Sequence, residues 1–179
     1  HYNFNMREMS SVFQGMCRSE PEYFRDPCKM IRLFMHEANR VFADRLISSK
    51  ELKLFDKMLV DCTKKTFTDE DQEVLCAKPL IFNSFVTQSM SDEPIYLPVK
   101  DWASLRKVLD AKLAEYNDAN VIMDLVLFDQ AVEHVCRITR ILDSPRGNAL
   151  LVGVGGSGKQ SLSKLASFIC GCDVVQLSV

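Results

Sequence analysis

The 179-residue chain has a formal charge of −2, with acids and bases mixed along its length, and 47% of its residues are apolar. That is enough for a buried core in one domain or two small ones, and it leaves no electrostatic footprint for nucleic acid or an anionic membrane. No apolar run approaches the ~18 residues that cross a bilayer and no charged start with an apolar h-region marks a signal peptide, so a soluble globular protein of the cytosol is expected. The seven cysteines are odd in number and lack C-x-x-C spacing or neighbouring histidines, which argues for reduced thiols over metal or redox chemistry. Four of them, Cys62, Cys76, Cys136 and Cys170, fall in predicted helices as small hydrophobes.

Asn5, with Glu8 three residues later, makes a cap-like start, and Met6, Met9, Val12 and Phe13 recur at helical spacing up to Gly15, where a C-cap is expected. Arg7 lies roughly 150° from the centre of that stripe, at 100° per residue, on a side from which it can reach a ligand. After a proline-containing connection, Ile31, Phe34, Ala38, Val41, Phe42 and Leu46 form an apolar face, with Glu37, Arg40 and Asp44 on other sides of the turn. Ser48 followed by Glu51 matches a capping box, and Leu52, Phe55, Leu59 and Cys62 continue a second stripe, which predicts a tight corner between helices near Ser48 and Ser49. A third, acidic helix is expected from Thr68.

Pro79, Pro94, Pro98 and the run Ser89 to Asp92 disfavour continuous helix, so a linker is placed between Pro79 and Pro98. Asp101 then caps a helix carrying Leu105, Val108, Leu109 and Leu113, and Asp124 to Leu142 predicts another with Ala131, Val135, Ile138 and Leu142 on one face. Trp102 is expected to pack on the core or the linker. His36 and His134 have no nucleophile or ligand partner at motif spacing, so they receive structural roles, and neither a catalytic residue nor a protein metal site is assigned. An all-α first half and a strand-loop-helix second half divide the chain into a helical unit over 1–85, a linker and connecting helix over 86–118, and the start of an α/β nucleotide-binding unit over 119–179.

Asn148 to Val152 is a short apolar run, predicted as a strand, and Leu162, Leu165, Ala166 and Ile169 resume helical spacing until Gly171. Between them, Gly153-Val154-Gly155-Gly156-Ser157-Gly158-Lys159 satisfies the G-x-x-x-x-G-K part of the Walker A pattern in its proper strand-loop-helix setting. Phosphate oxygens need several main-chain N–H groups at close range, which glycine permits through its missing Cβ and tolerance of positive φ. The following helix N-terminus adds its dipole, and Lys159 adds a point charge for the β and γ phosphates. Gln160 stands where a serine or threonine hydroxyl ordinarily binds Mg²⁺, and Ser161 comes one place late, so nucleotide binding is a safer expectation than fast hydrolysis. The downstream acidic pair of a complete ATPase is not in this sequence. The start at His1 in mid-pattern, and the stop soon after a second predicted strand, suggest an excised segment.

The string Gly153-Val-Gly-Gly-Ser-Gly-Lys-Gln-Ser-Leu-Ser-Lys-Leu-Ala166, with His134-Val-Cys-Arg-Ile-Thr-Arg-Ile-Leu142 and Pro145-Arg-Gly-Asn-Ala-Leu-Leu-Val152 ahead of it, closely resembles the start of the fourth AAA+ module of axonemal dynein heavy chains, where the Gly-Lys-Gln-Ser form is typical. His1-Tyr-Asn-Phe-Asn-Met-Arg-Glu-Met9 with Val12-Phe-Gln-Gly15, and Met35-His-Glu-Ala-Asn-Arg-Val-Phe-Ala-Asp-Arg-Leu46, resemble the lid of the third module. The resemblance implies a mostly helical chain, an all-α AAA+ lid followed by the beginning of an α/β P-loop NTPase. It implies ATP or ADP and Mg²⁺ at Gly153 to Ser161, the magnesium ligand being uncertain at Gln160. Arg7 then resembles a sensor 2 residue for nucleotide held by the preceding module, and Leu125, Val126, Leu127 and Phe128 match a segment that packs on adenine, with a core-facing apolar run as the alternative. The wider implication is a ring-shaped, ATP-driven microtubule motor of the cytoplasm, cytoskeleton and ciliary or flagellar axoneme. Its partners would be neighbouring AAA+ modules of the same chain, microtubules, and dynein intermediate and light chains. A nucleotide-holding structural module with little or no hydrolysis stays open beside it.

Overall fold

The structure is a computed structural model that describes residues 2–87 and 94–177; the run Ser89 to Asp92 lies outside the described residues. It forms two compact units, one running through Val99 and one starting at Lys100. Among the described residues there are seven α-helices, one short 3-10 turn and a two-residue antiparallel strand pair, so the chain is mostly helical. None of these helices is long and apolar enough to cross a membrane.

In the first unit, α1 spans Met6–Met16 and begins with the expected capping box: the Asn5 side chain accepts the Arg7 N–H at 2.8 Å, and Glu8 accepts the Asn5 N–H at 2.8 Å. That main-chain donor, joined by the Arg45 guanidinium at 2.7 Å, holds the Glu8 carboxyl below its ordinary value. Gly15 is not the cap. The helix continues through it, and Cys17 closes the end by donating to the Phe13 carbonyl at 2.9 Å. Gly15 is instead the point where α1 meets α2, Pro27–Val41: a Cβ there would stand 1.9 Å from Glu37 Oε2. The buried line of α1 therefore runs through Val12 and Gly15, while Met6 and Phe13 of the predicted apolar stripe are 80% and 55% exposed. The closest approach between two helices fell on the residue without a side chain, and hydrophobicity alone does not register that.

The second helix starts at Pro27 behind an Asp26 cap and lies at the centre of the unit. Ile31 and Ala38 of its predicted face are buried, but so are Leu33, Met35, His36 and Glu37, so α2 is covered on more than one side. Glu37, expected among the charged outward positions, is fully buried, and its Oε1 accepts the Tyr96 hydroxyl at 2.7 Å. The chain reaches the corner at Ser48 through a 3-10 turn, Ala43–Arg45, and α3 then spans Ser49–Thr66 with the predicted Ser48 and Glu51 capping box in place. Tyr2, Phe4, Phe42 and Phe55 form a chain of ring contacts across this corner, stacked between Tyr2 and Phe4 and edge-on between Phe4 and Phe42, and the Tyr2 hydroxyl donates to Glu51 at 3.0 Å.

The helix expected from Thr68 is shorter and later: α4 spans only Gln72–Cys76, capped by Asp71. Past it, the Arg32 guanidinium donates to the carbonyls of Val74, Ala77 and Pro79 at 2.6, 2.8 and 3.1 Å and so directs the chain back over α2. The strands β1, Phe82–Asn83, and β2, Leu97–Pro98, then pair with Phe82 opposite Pro98. Phe82 and Tyr96 join Phe24 and Leu33 in one apolar cluster, which packs both strands of the pair into the first unit.

The second unit contains α5, Trp102–Ala119, α6, Asp129–Leu142, and α7, Lys159–Ile169. Asp101 caps α5 by accepting the Ser104 N–H at 2.7 Å, as expected. The next helix begins at Asp129 rather than Asp124. Asn117 accepts the Met123 N–H at 2.8 Å and donates to its carbonyl at 3.4 Å, while the N–H groups of Leu125 and Phe128 donate two residues back, to Met123 and Val126. Those bonds use up the groups a first helical turn needs. Leu127 is buried here, on the core-facing alternative, whereas Val126 and Phe128 are exposed. No strand forms over Asn148 to Val152: Leu150 and Val152 are 90% and 88% exposed, and an isolated extended run has no ladder to satisfy its main chain. No disulfide joins cysteines among the described residues; Cys28 and Cys136 are buried and Cys62, predicted as a helical hydrophobe, is exposed.

Two outcomes follow from the buried carboxylate. Gly15→Ala places a methyl group against Glu37 and is expected to destabilise the chain by about 2 kcal/mol in urea unfolding; an unchanged midpoint would mean that α1 and α2 do not meet at this residue. Tyr96→Phe removes the hydroxyl donor while keeping the ring, with an expected loss of about 1–3 kcal/mol and a lower melting temperature. A melting temperature equal to that of the native chain would contradict the 2.7 Å contact.

Candidate phosphate-binding site

The floor of the site is the pair α6 and α7. Ala131, Val132, Val135, Cys136, Ile138 and Thr139 of α6 and Leu162, Leu165, Ala166 and Ile169 of α7 are all buried, as the 3.6-residue period requires, and Tyr116 of α5 meets Phe168 of α7 edge-on at 5.4 Å. The C-terminus of α7 is fixed by a left-handed Gly171: the Cys172 N–H donates to Ser167 and the Gly171 N–H to Phe168, at 2.9 and 3.1 Å. At the other end Gly158 is the N-cap, with φ 75°, and the helix starts on Lys159. The direction in which the loop presents its main chain is therefore tied to a helix whose far end is fixed at Gly171.

Of the four loop glycines, Gly156 and Gly158 have positive φ, 76° and 75°, which explains why side chains are excluded there. Gly155, Gly156 and Gly158 have no atom within 4 Å of where a Cβ would sit, so the loop is open on that side. Gly153 to Ser157 are exposed. The Lys159 side chain folds back over the loop, with its Nζ donating to the Gly153 carbonyl at 2.7 Å, the Val154 carbonyl at 2.6 Å and the Ser157 hydroxyl at 3.0 Å. An ammonium held there, beside an open glycine loop and the N-terminal N–H groups of α7, makes an arrangement that an anion can enter.

The structure brings Gly153, Val154, Gly155, Gly156, Ser157, Gly158, Lys159, Gln160 and Ser161 together in one continuous loop and helix start. Gln160 is exposed and Ser161 half-buried, and among the described residues no group of three or more His, Cys, Asp or Glu is placed to hold a metal ion. A cleft of about 370 Å³ has Lys159, Gln160, Ser163 and Lys164 on one wall. Another, of about 310 Å³, is lined by Gln160, Ser161 and Lys164 together with Tyr116 and residues 121–124. Lys164 lines both clefts and was passed over in the sequence reading; its i, i+4 spacing from Gln160 is the signal that places it on the same helix face. Arg7 belongs to the other unit, on the first turn of α1, where its side chain is exposed.

Comparisons with known proteins bear on both units. Residues 123–179 match the family described as the P-loop containing dynein motor region D4, and residues 1–77 match the AAA+ lid domain family. The whole chain is similar to the flagellar outer arm dynein beta chain of Chlamydomonas reinhardtii, at 52% identity over 182 residues. It is 49% identical to the ciliary dynein beta chain of Tripneustes gratilla and 50% identical to dynein axonemal heavy chain 17 of Homo sapiens, each over 179 residues. Each of these alignments covers 100% of this chain and 4% of the relative's length. With a lid and a D4 P-loop in the same order, and about half of all residues identical across the full alignment, the chain belongs to the axonemal dynein heavy chains.

Proposed function

We propose that the segment binds ATP or ADP at Gly153 to Ser161 as part of a dynein heavy chain of the ciliary or flagellar axoneme, an ATP-driven motor acting on microtubules. The observation that carries this reading is the Lys159 ammonium seated on the carbonyls of its own glycine loop, next to glycines with no atom within 4 Å of where a Cβ would sit. The N–H groups of the loop and of the first turn of α7 would bind phosphate oxygens, and Lys159 would present its charge to the β and γ phosphates. Mg²⁺, when bound with the nucleotide, supplies charge neutralisation between those phosphates. The residues offered to it are the Gln160 amide oxygen and the Ser161 hydroxyl, a weaker set than an adjacent serine or threonine.

In this reading residues 1–85 act as the lid of the preceding, third AAA+ module, residues 86–118 connect it onward, and residues 119–179 open the fourth. Its partners are the neighbouring modules of the same heavy chain, microtubules reached through the complete motor, and the dynein intermediate and light chains. Arg7, exposed and set by the Asn5 and Glu8 cap, serves as the sensor that meets the phosphates of nucleotide held by the preceding module. The substitution of Gln160 for a hydroxyl favours a second reading, in which this site holds nucleotide as a stiffening ligand with little hydrolysis. Measuring the turnover of bound nucleotide at this site in the intact ring separates the two, since the stiffening role requires exchange far slower than the motor cycle.

Lys159→Ala in the complete heavy chain removes a charge and up to three donors, so nucleotide affinity at this site should fall by about a hundredfold or more. Undiminished labelling of this loop by an azido-nucleotide in that variant would refute the site. Arg7→Ala should leave this site unchanged and weaken nucleotide binding at the preceding module by about tenfold or more, the value of a charged hydrogen bond. Equal binding at the preceding module would return Arg7 to an ordinary solvated arginine.

A further inference from the structure

The Lys159 ammonium has three protons, and the loop itself supplies three oxygens, at 2.7, 2.6 and 3.0 Å. Two of these belong to main-chain carbonyls whose positions the loop fixes. The third, Ser157 Oγ, is on a side chain and swings away by rotation about one bond. Gly153 is the glycine that faces this pair: its absent Cβ would lie 3.0 Å from Ser157 Oγ and 3.5 Å from Lys159 Nζ, whereas the corresponding positions on Gly155, Gly156 and Gly158 meet nothing within 4 Å. One side of the loop is thus occupied by the serine and lysine together, and the other side is open.

We propose that Ser157 is a positioning residue that holds Lys159 on the loop carbonyls when no anion is present, and that a phosphate oxygen replaces the hydroxyl on the ammonium when nucleotide enters. This rests on the reading of the loop as a nucleotide site. No covalent bond changes; one neutral acceptor is exchanged for an anionic one, and of two bonds that share the same charged donor the one to the anion is the stronger. The serine stabilises only the empty loop, so it weakens nucleotide affinity and hastens release.

The test is photolabelling of the intact heavy chain with azido-ATP over a range of concentrations, followed by quantification of the labelled peptide that contains this loop. Ser157→Ala should reach half-labelling at a nucleotide concentration about threefold to tenfold lower than the native chain, the scale of one ordinary hydrogen bond, and should release nucleotide more slowly by a similar factor. Ser157→Thr keeps the hydroxyl and should restore the native curve. Labelling of Ser157→Ala that is equal to or weaker than native overturns the inference, because the hydroxyl then does nothing or meets the anion directly. Loss of labelling in both variants also overturns it, as the sign of a merely structural serine. If the native chain is not labelled here, or Lys159→Ala is labelled as well as native, the nucleotide reading falls and takes this inference with it; a labelled native chain with an unshifted Ser157→Ala curve removes the inference alone.

Discussion

The arrangement around which the second unit's glycine loop is built is a single ammonium group surrounded by oxygens of the loop that precedes it. A lysine side chain in water has many rotamers and a strong hydration shell, and both oppose capture by any one site. Here three acceptors from Gly153, Val154 and Ser157 replace that shell at hydrogen-bonding distance, so the charge is positioned before any partner arrives. The same geometry calls for glycine at three places, at Gly156 and Gly158 through left-handed backbone and at Gly153 because a side chain there would crowd Ser157 and Lys159. Charge, backbone and volume therefore constrain the same seven residues.

The rest of the second unit supports that loop. Two amphipathic helices, α6 and α7, press their apolar faces together, and the left-handed turn at Gly171 closes the far end of α7, so that its near end points in a defined direction. The segment before α6 is tied by Asn117 to Met123 and lies along one of the two clefts that flank the start of α7. In the first unit the capped N-terminus of α1 carries the exposed Arg7, and its other end packs against α2 at Gly15. Each unit thus offers one charged side chain at the beginning of a short, well-anchored helix.

Much of this was legible in the sequence because local chemistry determined it. The caps at Asn5, Ser48 and Asp101 and the periodic apolar faces of α6 and α7 depend on residues within a few positions of each other, and the glycine loop was read from its own spacing. What sequence reading misplaced depends on contacts far along the chain. Glu37 looks like a surface acid until Tyr96, 59 residues later, donates to it. Gly15 looks like a helix end until α2 is laid across it. Asp124 looks like a cap until Asn117 takes the Met123 main chain. The run Asn148 to Val152 reads as a strand from its apolar composition, but a strand is a relation between two segments, and its own sequence carries only one of them.

The seat of Glu37 in the space left by Gly15 also bears on how the two positions can vary over evolutionary time. Since the carboxylate fills the volume where a methyl group would be, the two positions limit each other's size, and the hydroxyl of Tyr96 faces them both. A descendant that enlarges position 15 needs a shorter residue at position 37, and with the acid gone the phenol at position 96 loses its acceptor and has reason to become phenylalanine. Three sites distant in the primary structure are expected to drift as one covarying set, which makes them a natural marker for aligning this region between diverged members of the family.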